Sequence, residues 1–126
     1  MRKAERIISQ ITHDLTFTGK PELITAVEHM ASLGENGSFD RIMITKDVYP
    51  VVARENDESL IAAEKAIYRA VEYCWMNGEN DRLHSIIGIK LPHKPKPSQF
   101  IMYCAYYYIY GVAYHKADEQ ELPLLF

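Results

Sequence analysis

Residues 56–78 read NDESLIAAEKAIYRAVEYCWMNG, a stretch with a start signal, an apolar stripe and a stop. Asp57 or Ser59 can cap a helix by accepting from an unpaired backbone N–H. Asp57 and Glu58 also put negative charge at the helix's positive end. Leu60, Ala63, Ile67, Ala70, Val71 and Cys74 recur at helical spacing and predict an inner stripe, flanked by Trp75. Gly78 suits the left-handed position just past a helix end. Lys65, Tyr68, Arg69, Glu72 and Met76 fall on the other side. The preceding segment, 44–55, predicts a shorter helix with a tight joint to the long one. Two helices so joined form a helix-turn-helix, here about 45–78, whose second helix is the one offered to a DNA groove.

The flanking chain supplies helices to pack against this pair. Thr45 is the expected N-cap of the shorter helix, with Val48, Val52 and Ala53 facing inward. Pro50 falls near its first turn and predicts a tightened start or a kink. Upstream, Ile7, Ile8, Ile11 and Leu15 form the stripe of a first helix over 3–15. The run Thr18-Gly19-Lys20-Pro21 ends it and starts a second helix over 21–33, burying Leu23, Ile24, Val27, Met30 and Ala31. Residues 34–38 are loop by composition, followed by a short helical turn at 39–43.

Downstream, 81–87 predicts a short helix with Leu83, Ile86 and Ile87 inward and Gly88 ending it. Residues 89–97 hold three prolines and three lysines and predict extended loop. Ser98 is the expected cap of a last helix reaching about Lys116, with Phe100, Ile101, Cys104, Tyr108 and Val112 buried. A tail at about 118–126 is expected to be extended, although Leu122, Leu124, Leu125 and Phe126 are too apolar to sit comfortably in water. No strand-like alternation of any length occurs. The expectation is an all-α fold of about six helices in a single domain, 1–126.

Composition narrows the function classes. A chain of 126 residues, 48% hydrophobic and 25% charged, can bury a real core. The charged N-terminus lacks a signal peptide's apolar centre, and no run of about 20 apolar residues predicts a membrane span. Cys74 and Cys104 form no CxxC pair and sit in helical patterns, as buried free thiols do. A reducing cytoplasm fits these features. His13, His29, His84, His93 and His115 have no metal-ligand spacing, and no nucleophile–base set or glycine-rich phosphate loop is present. No enzyme activity, cofactor or metal is expected. The net charge of −3 and pI near 5.9 count against a strongly basic surface and leave only local basic patches.

Three segments carry a family resemblance: ITKDVYPVVA (44–53), AEKAIYRAVEYCWMNGENDRLHSIIG (63–88) and KPSQFI (96–101). Together they resemble the C-terminal effector domain of the stage 0 sporulation protein A response regulators. Residues 8–15 are similar to that domain's first helix, and the resemblance spans roughly residues 7–108. Its most specific features are Thr45-Lys46, Tyr49-Pro50 and the Trp75/Gly78 placement. It implies a six-helix fold with a helix-turn-helix, sequence-specific DNA binding and transcriptional control in endospore-forming bacteria. The family's domain follows a phosphorylatable receiver. The sequence leaves no room for one ahead of Arg2, so phosphorylation in cis is not the expected switch.

Carried over residue by residue, the resemblance is uneven. Glu64 and Lys65 match an acidic–basic pair of the recognition helix, with lysine where the family has arginine. Arginine grips guanine bidentately, whereas lysine is a point charge. Tyr68 stands where the family has a second arginine, Arg69 where it has histidine, and Ala62 where it again has arginine. The family's base preference is therefore not transferred.

The candidate DNA-contacting residues are Lys46, Glu64, Lys65, Tyr68 and Arg69, with Lys90, Lys94 and Lys96 as candidate phosphate contacts. The plainer reading of each is a solvated helix face or an isolated surface lysine. Tyr103, Tyr106, Tyr107, Tyr108, Tyr110 and Tyr114 surround the last helix and cannot all face one core. The excess, Tyr103, Tyr106, Tyr107, Tyr110 and Tyr114, reads as a self-association face that would give a homodimer two half-sites. Double-stranded DNA is the expected partner. The alternative is an interaction module that keeps the fold and pairs with itself or another regulator, favoured by the acidic balance, Ala62 and Tyr68.

Overall fold

In the computed structural model, residues 2–35 and 39–116 are described. Six α-helices form, with no strand among these residues: α1 (Lys3–Ile11), α2 (Lys20–Glu35), α3 (Tyr49–Glu55), α4 (Leu60–Asn77), α5 (Asn80–Ile87) and α6 (Pro97–Tyr110). The all-α expectation of six helices holds. The expected tail at 118–126 lies outside the described residues.

Helix α2 is the centre. It packs against α1, α3, α4 and α6. Leu23, Ile24, Thr25, Ala26, Val27, Met30 and Ala31 are all buried, which is the signature of a helix covered on most of its circumference. It runs to Glu35, past the expected loop start at Gly34. The ring of Phe39 covers Gly34 and leaves no room for a Cβ there. Glu28 on the same helix joins three elements. Its carboxylate accepts from the Ala4 N–H at the start of α1 (3.0 Å) and from the Tyr108 hydroxyl of α6 (2.8 Å). The first bond satisfies an N–H that has no intrahelical partner.

Helix α1 is shorter than expected. It stops at Ile11 because the Thr12 hydroxyl accepts from the Asp14 N–H and offers the chain a turn instead of another helical residue. Leu15, expected in the buried stripe, is therefore outside the helix and exposed. Lys20 is buried, and its ammonium donates to the carbonyls of Asp14 (3.1 Å) and Leu15 (2.7 Å), which pins this loop. Gly19 has φ +83°, and a Cβ there would collide with the Ala66 carbonyl. Glycine thus lets the start of α2 lie directly on the back of α4.

The helix-turn-helix forms from α3 and α4. A π turn at Ile44–Val48 precedes α3. Thr45 is not its cap; the Asp47 carboxylate instead accepts from the Met43 N–H (2.9 Å). Pro50 has no N–H for the Lys46 carbonyl, and the Tyr49 N–H reaches back to Ile44. The start is therefore widened, where Pro50 predicts a tightened start or a kink. The joint holds Asp57 in the left-handed region (φ 52°). Asn56 braces it, its side chain donating to the Val52 carbonyl at 2.9 Å. Ser59 is the cap of α4, accepting from the Ala62 N–H at 3.1 Å.

Ala63, Ile67, Ala70, Val71 and Cys74 are buried as predicted, but Leu60 is exposed, since the first turn of α4 projects beyond the core. Gly78 has extended backbone (φ −72°, ψ 151°) and not the expected left-handed one. Its role is close approach. A Cβ there would strike the Cys74 carbonyl and Ile11, and the next residue, Glu79, donates its N–H to the Ile11 carbonyl (2.9 Å).

Helix α5 buries Leu83, Ile86 and Ile87 and ends at Gly88 in the left-handed region, as expected. Helix α6 begins one residue early, at Pro97. The Gln99 side chain accepts from the Lys96 N–H (3.1 Å), so Ser98 is not the cap. The helix ends at Tyr110, with Gly111 left-handed (φ 71°), and does not reach Lys116. Its buried residues are Phe100, Ile101, Cys104, Ala105 and Tyr106; Tyr108 and Val112 are only half-buried. Both thiols are buried and free, and burial pushes the Cys74 thiol up to about 12.

Candidate nucleic-acid interface

The outward side of α4 carries Lys65, Tyr68, Arg69, Glu72 and Met76, all exposed. Its inner stripe is locked against α2, α3 and α6, so the outward side chains sit on a rigid element following the α3–α4 joint. Lys65, Tyr68 and Arg69 also line a shallow recess with Glu64, Tyr49 and Pro97. Four of the five predicted DNA-contacting residues are thereby brought together. Lys46 is exposed on the π turn ahead of α3.

Two of these groups are less free than the sequence suggested. Glu64 is half-buried, and the Tyr49 hydroxyl beside it is pushed up to about 12, first by its own burial and then by the Glu64 charge. Tyr68 is contacted by a lysine from the proline loop. The Lys94 ammonium is 4.9 Å from the Tyr68 ring centroid, donates to its hydroxyl at 3.3 Å, and is 3.7 Å from Glu72. Cations attract to aromatic faces through the ring quadrupole, so the loop is drawn onto the outward face of α4. Along this face Lys65, Arg69 and Lys94 stand against Glu64 and Glu72, a small positive balance within an acidic chain.

The three candidate phosphate-contacting lysines are not one patch. Lys94 joins the α4 face, and Lys96 is exposed at the entry to α6 beside the recess. Lys90 lies elsewhere, lining a cleft of about 280 Å³ with Trp75, Leu83, His84, Ile87 and Leu91.

The tyrosines divide as well. Tyr106 is fully buried, so it cannot belong to a self-association face. The chain beyond Gly111 folds back and lays Tyr114 against Tyr103 and, edge-on, against Tyr106, while Tyr110 packs on Tyr106. The His115 ring is 3.2 Å from the Tyr103 hydroxyl. Much of the aromatic excess is thus consumed within the chain. Tyr103, Tyr107, Tyr110 and Tyr114 keep partial exposure.

One residue of the face escaped the sequence reading. Ile61 is 67% exposed in the first turn of α4. Its spacing of four residues from Lys65 and seven from Tyr68 is the signal that marks the shared face.

The family model described as sporulation initiation factor Spo0A C terminal matches residues 5–108. The chain belongs to this family. The matched span includes all of the helix-turn-helix and ends within α6, so Tyr110 and Tyr114 lie beyond it. The Spo0A C-terminal family is one of DNA-binding effector domains and not of enzymes. No solved structure matches the chain. No helix among the described residues is long and apolar enough to cross a membrane.

Proposed function

We propose that this member of the Spo0A C-terminal family is a sequence-specific DNA-binding transcription regulator of the cytoplasm, with α4 as the recognition helix in the major groove. The observation that carries the reading is the exposed Lys65–Tyr68–Arg69 face on a helix whose opposite side is buried at Ala63, Ile67, Ala70, Val71 and Cys74. Arg69 presents the fork that grips guanine O6 and N7, and Lys65 supplies a point charge one turn earlier. Tyr68 lies beside them, with Glu64 at the edge. In this reading the exposed Lys46, Lys94 and Lys96 meet phosphates, and phosphate contacts position a protein without reading sequence. Lys90 is assigned no such role, because it lines a different cleft. Self-association through the exposed parts of Tyr103, Tyr107, Tyr110 and Tyr114 would provide two half-sites.

An electrophoretic shift at low salt on genomic fragments tests this. Retention at micromolar protein, weakened by Lys65→Ala and by Arg69→Ala, is expected. The absence of any retained fragment would overturn it.

A second reading has two observations in its favour. Lys94 is engaged with Glu72 and Tyr68 in the free protein, and Ala62 offers no charge. The face could then serve pairing with another regulator in place of DNA. Co-sedimentation with a full-length relative, without DNA retention, is the result that would select it.

A further inference from the structure

The first turn of α4 presents Leu60, Ile61 and Ala62, all exposed. No polar side chain stands between the capping Ser59 and Glu64. A lone exposed apolar side chain is ordinary on a protein surface. The placement of Ile61 is not. It precedes Lys65 by four residues, Tyr68 by seven and Arg69 by eight, so all four lie on one side of the helix. The Ser59 hydroxyl holds the Ala62 N–H at 3.1 Å and fixes the backbone of this turn. Ile61 is therefore presented in a set direction, at the tip of the same face that carries the two cations.

In a docked helix-turn-helix, the N-terminal residues of the second helix approach the base edges. A turn carrying only Leu, Ile and Ala offers no donor or acceptor to a purine edge. The apolar group that the major groove displays is the thymine C5-methyl. We propose that the first turn of α4 reads thymine, through contact of Ile61, with Ala62 beside it, on the C5-methyl group. The base next along the groove is left to Lys65 and Arg69. This deepens the DNA-binding reading and rests on it.

The test uses the full chain and a duplex operator selected from a random pool. Each thymine in turn is replaced by deoxyuridine, which lacks only the C5-methyl. At one or two positions the replacement is expected to weaken binding about fourfold, the factor that corresponds to roughly 0.8 kcal/mol for one buried methylene-sized group. Ile61→Ala is expected to bind the thymine and uracil operators alike. Lys65→Ala is expected to bind both more weakly and still prefer thymine. Equal binding of every uracil operator by the unaltered chain overturns the inference, as does an undiminished thymine preference in Ile61→Ala. Both of those failures leave a retained complex. If no duplex is retained at all, the DNA-binding reading falls first and the inference with it.

Discussion

Lys94 lies across the exposed ring of Tyr68, its ammonium 4.9 Å from the centroid and 3.3 Å from the hydroxyl oxygen, with a Glu72 carboxylate oxygen 3.7 Å away. A residue of the proline loop is thereby held on the helix that carries the candidate reading face. Exposed pairs of this kind add only about 0–1 kcal/mol to stability. Their larger effect here is on charge, since Lys94 offsets a carboxylate on the face that would meet phosphate.

Glu72→Gln is therefore expected to strengthen DNA binding severalfold at low salt, with the gain fading as salt is raised and screening sets in. Lys94→Ala is expected to weaken binding and to reduce the slope of log affinity against log salt by about 1. Its melting temperature should barely move, since surface changes of this kind stay within about 0.5 kcal/mol. Titrations at several salt concentrations check both; an unchanged slope for Lys94→Ala removes that lysine from the phosphate contacts.

The contact of Gly78 with Ile11 and the Cys74 carbonyl predicts a backbone-packing defect on substitution. Gly78→Ala is expected to cost about 1–3 kcal/mol, the usual range for forcing a methyl into a packed site. Urea denaturation measures this. A loss below about 0.3 kcal/mol would show that the α1 junction can shift aside.

Tyr106 and Tyr107 are neighbours in sequence with opposite surroundings, one fully buried and one half-exposed. Tyr106→Ala should cost about 3–5 kcal/mol, as truncation of a buried aromatic does. Tyr107→Ala should leave most of the stability and instead reduce self-association in sedimentation velocity. A Tyr107→Ala protein that associates as strongly as the unaltered chain would remove that tyrosine from the proposed face.

The Tyr73 hydroxyl donates to Asp14, and this bond, followed by that of the Thr12 hydroxyl, holds the Asp14 carboxyl below its usual value of 3.8. A carboxyl lowered on folding stabilises the fold above its unfolded value, and that contribution is lost as pH falls through the lowered one. Tyr73→Phe keeps the ring that stacks on Phe17, at 4.6 Å between centroids, and removes the donor. The melting-temperature deficit of Tyr73→Phe should be present at neutral pH and shrink toward about pH 2, below the usual carboxylate range. An equal deficit at both pH values would assign the effect to packing.

The sequence by itself determined the number and order of the helices and the inner stripe of α4, since those follow from local spacing and capping. It also placed Lys65, Tyr68 and Arg69 on one face, because i, i+3 and i+4 residues share a helix side whatever the helix packs against. Contacts from distant parts of the chain decided the rest. The Phe39 ring packs on Gly34, and Ile11 and the Cys74 carbonyl pack on Gly78. The fold-back after Gly111 buries aromatic surface that looked free in sequence. Lys94 reaches Tyr68 and Glu72 across a loop that has no periodicity to announce it. Leu60 sits at the spacing of the inner stripe and is nevertheless exposed in the first turn of α4, a matter of burial that helical spacing alone does not decide.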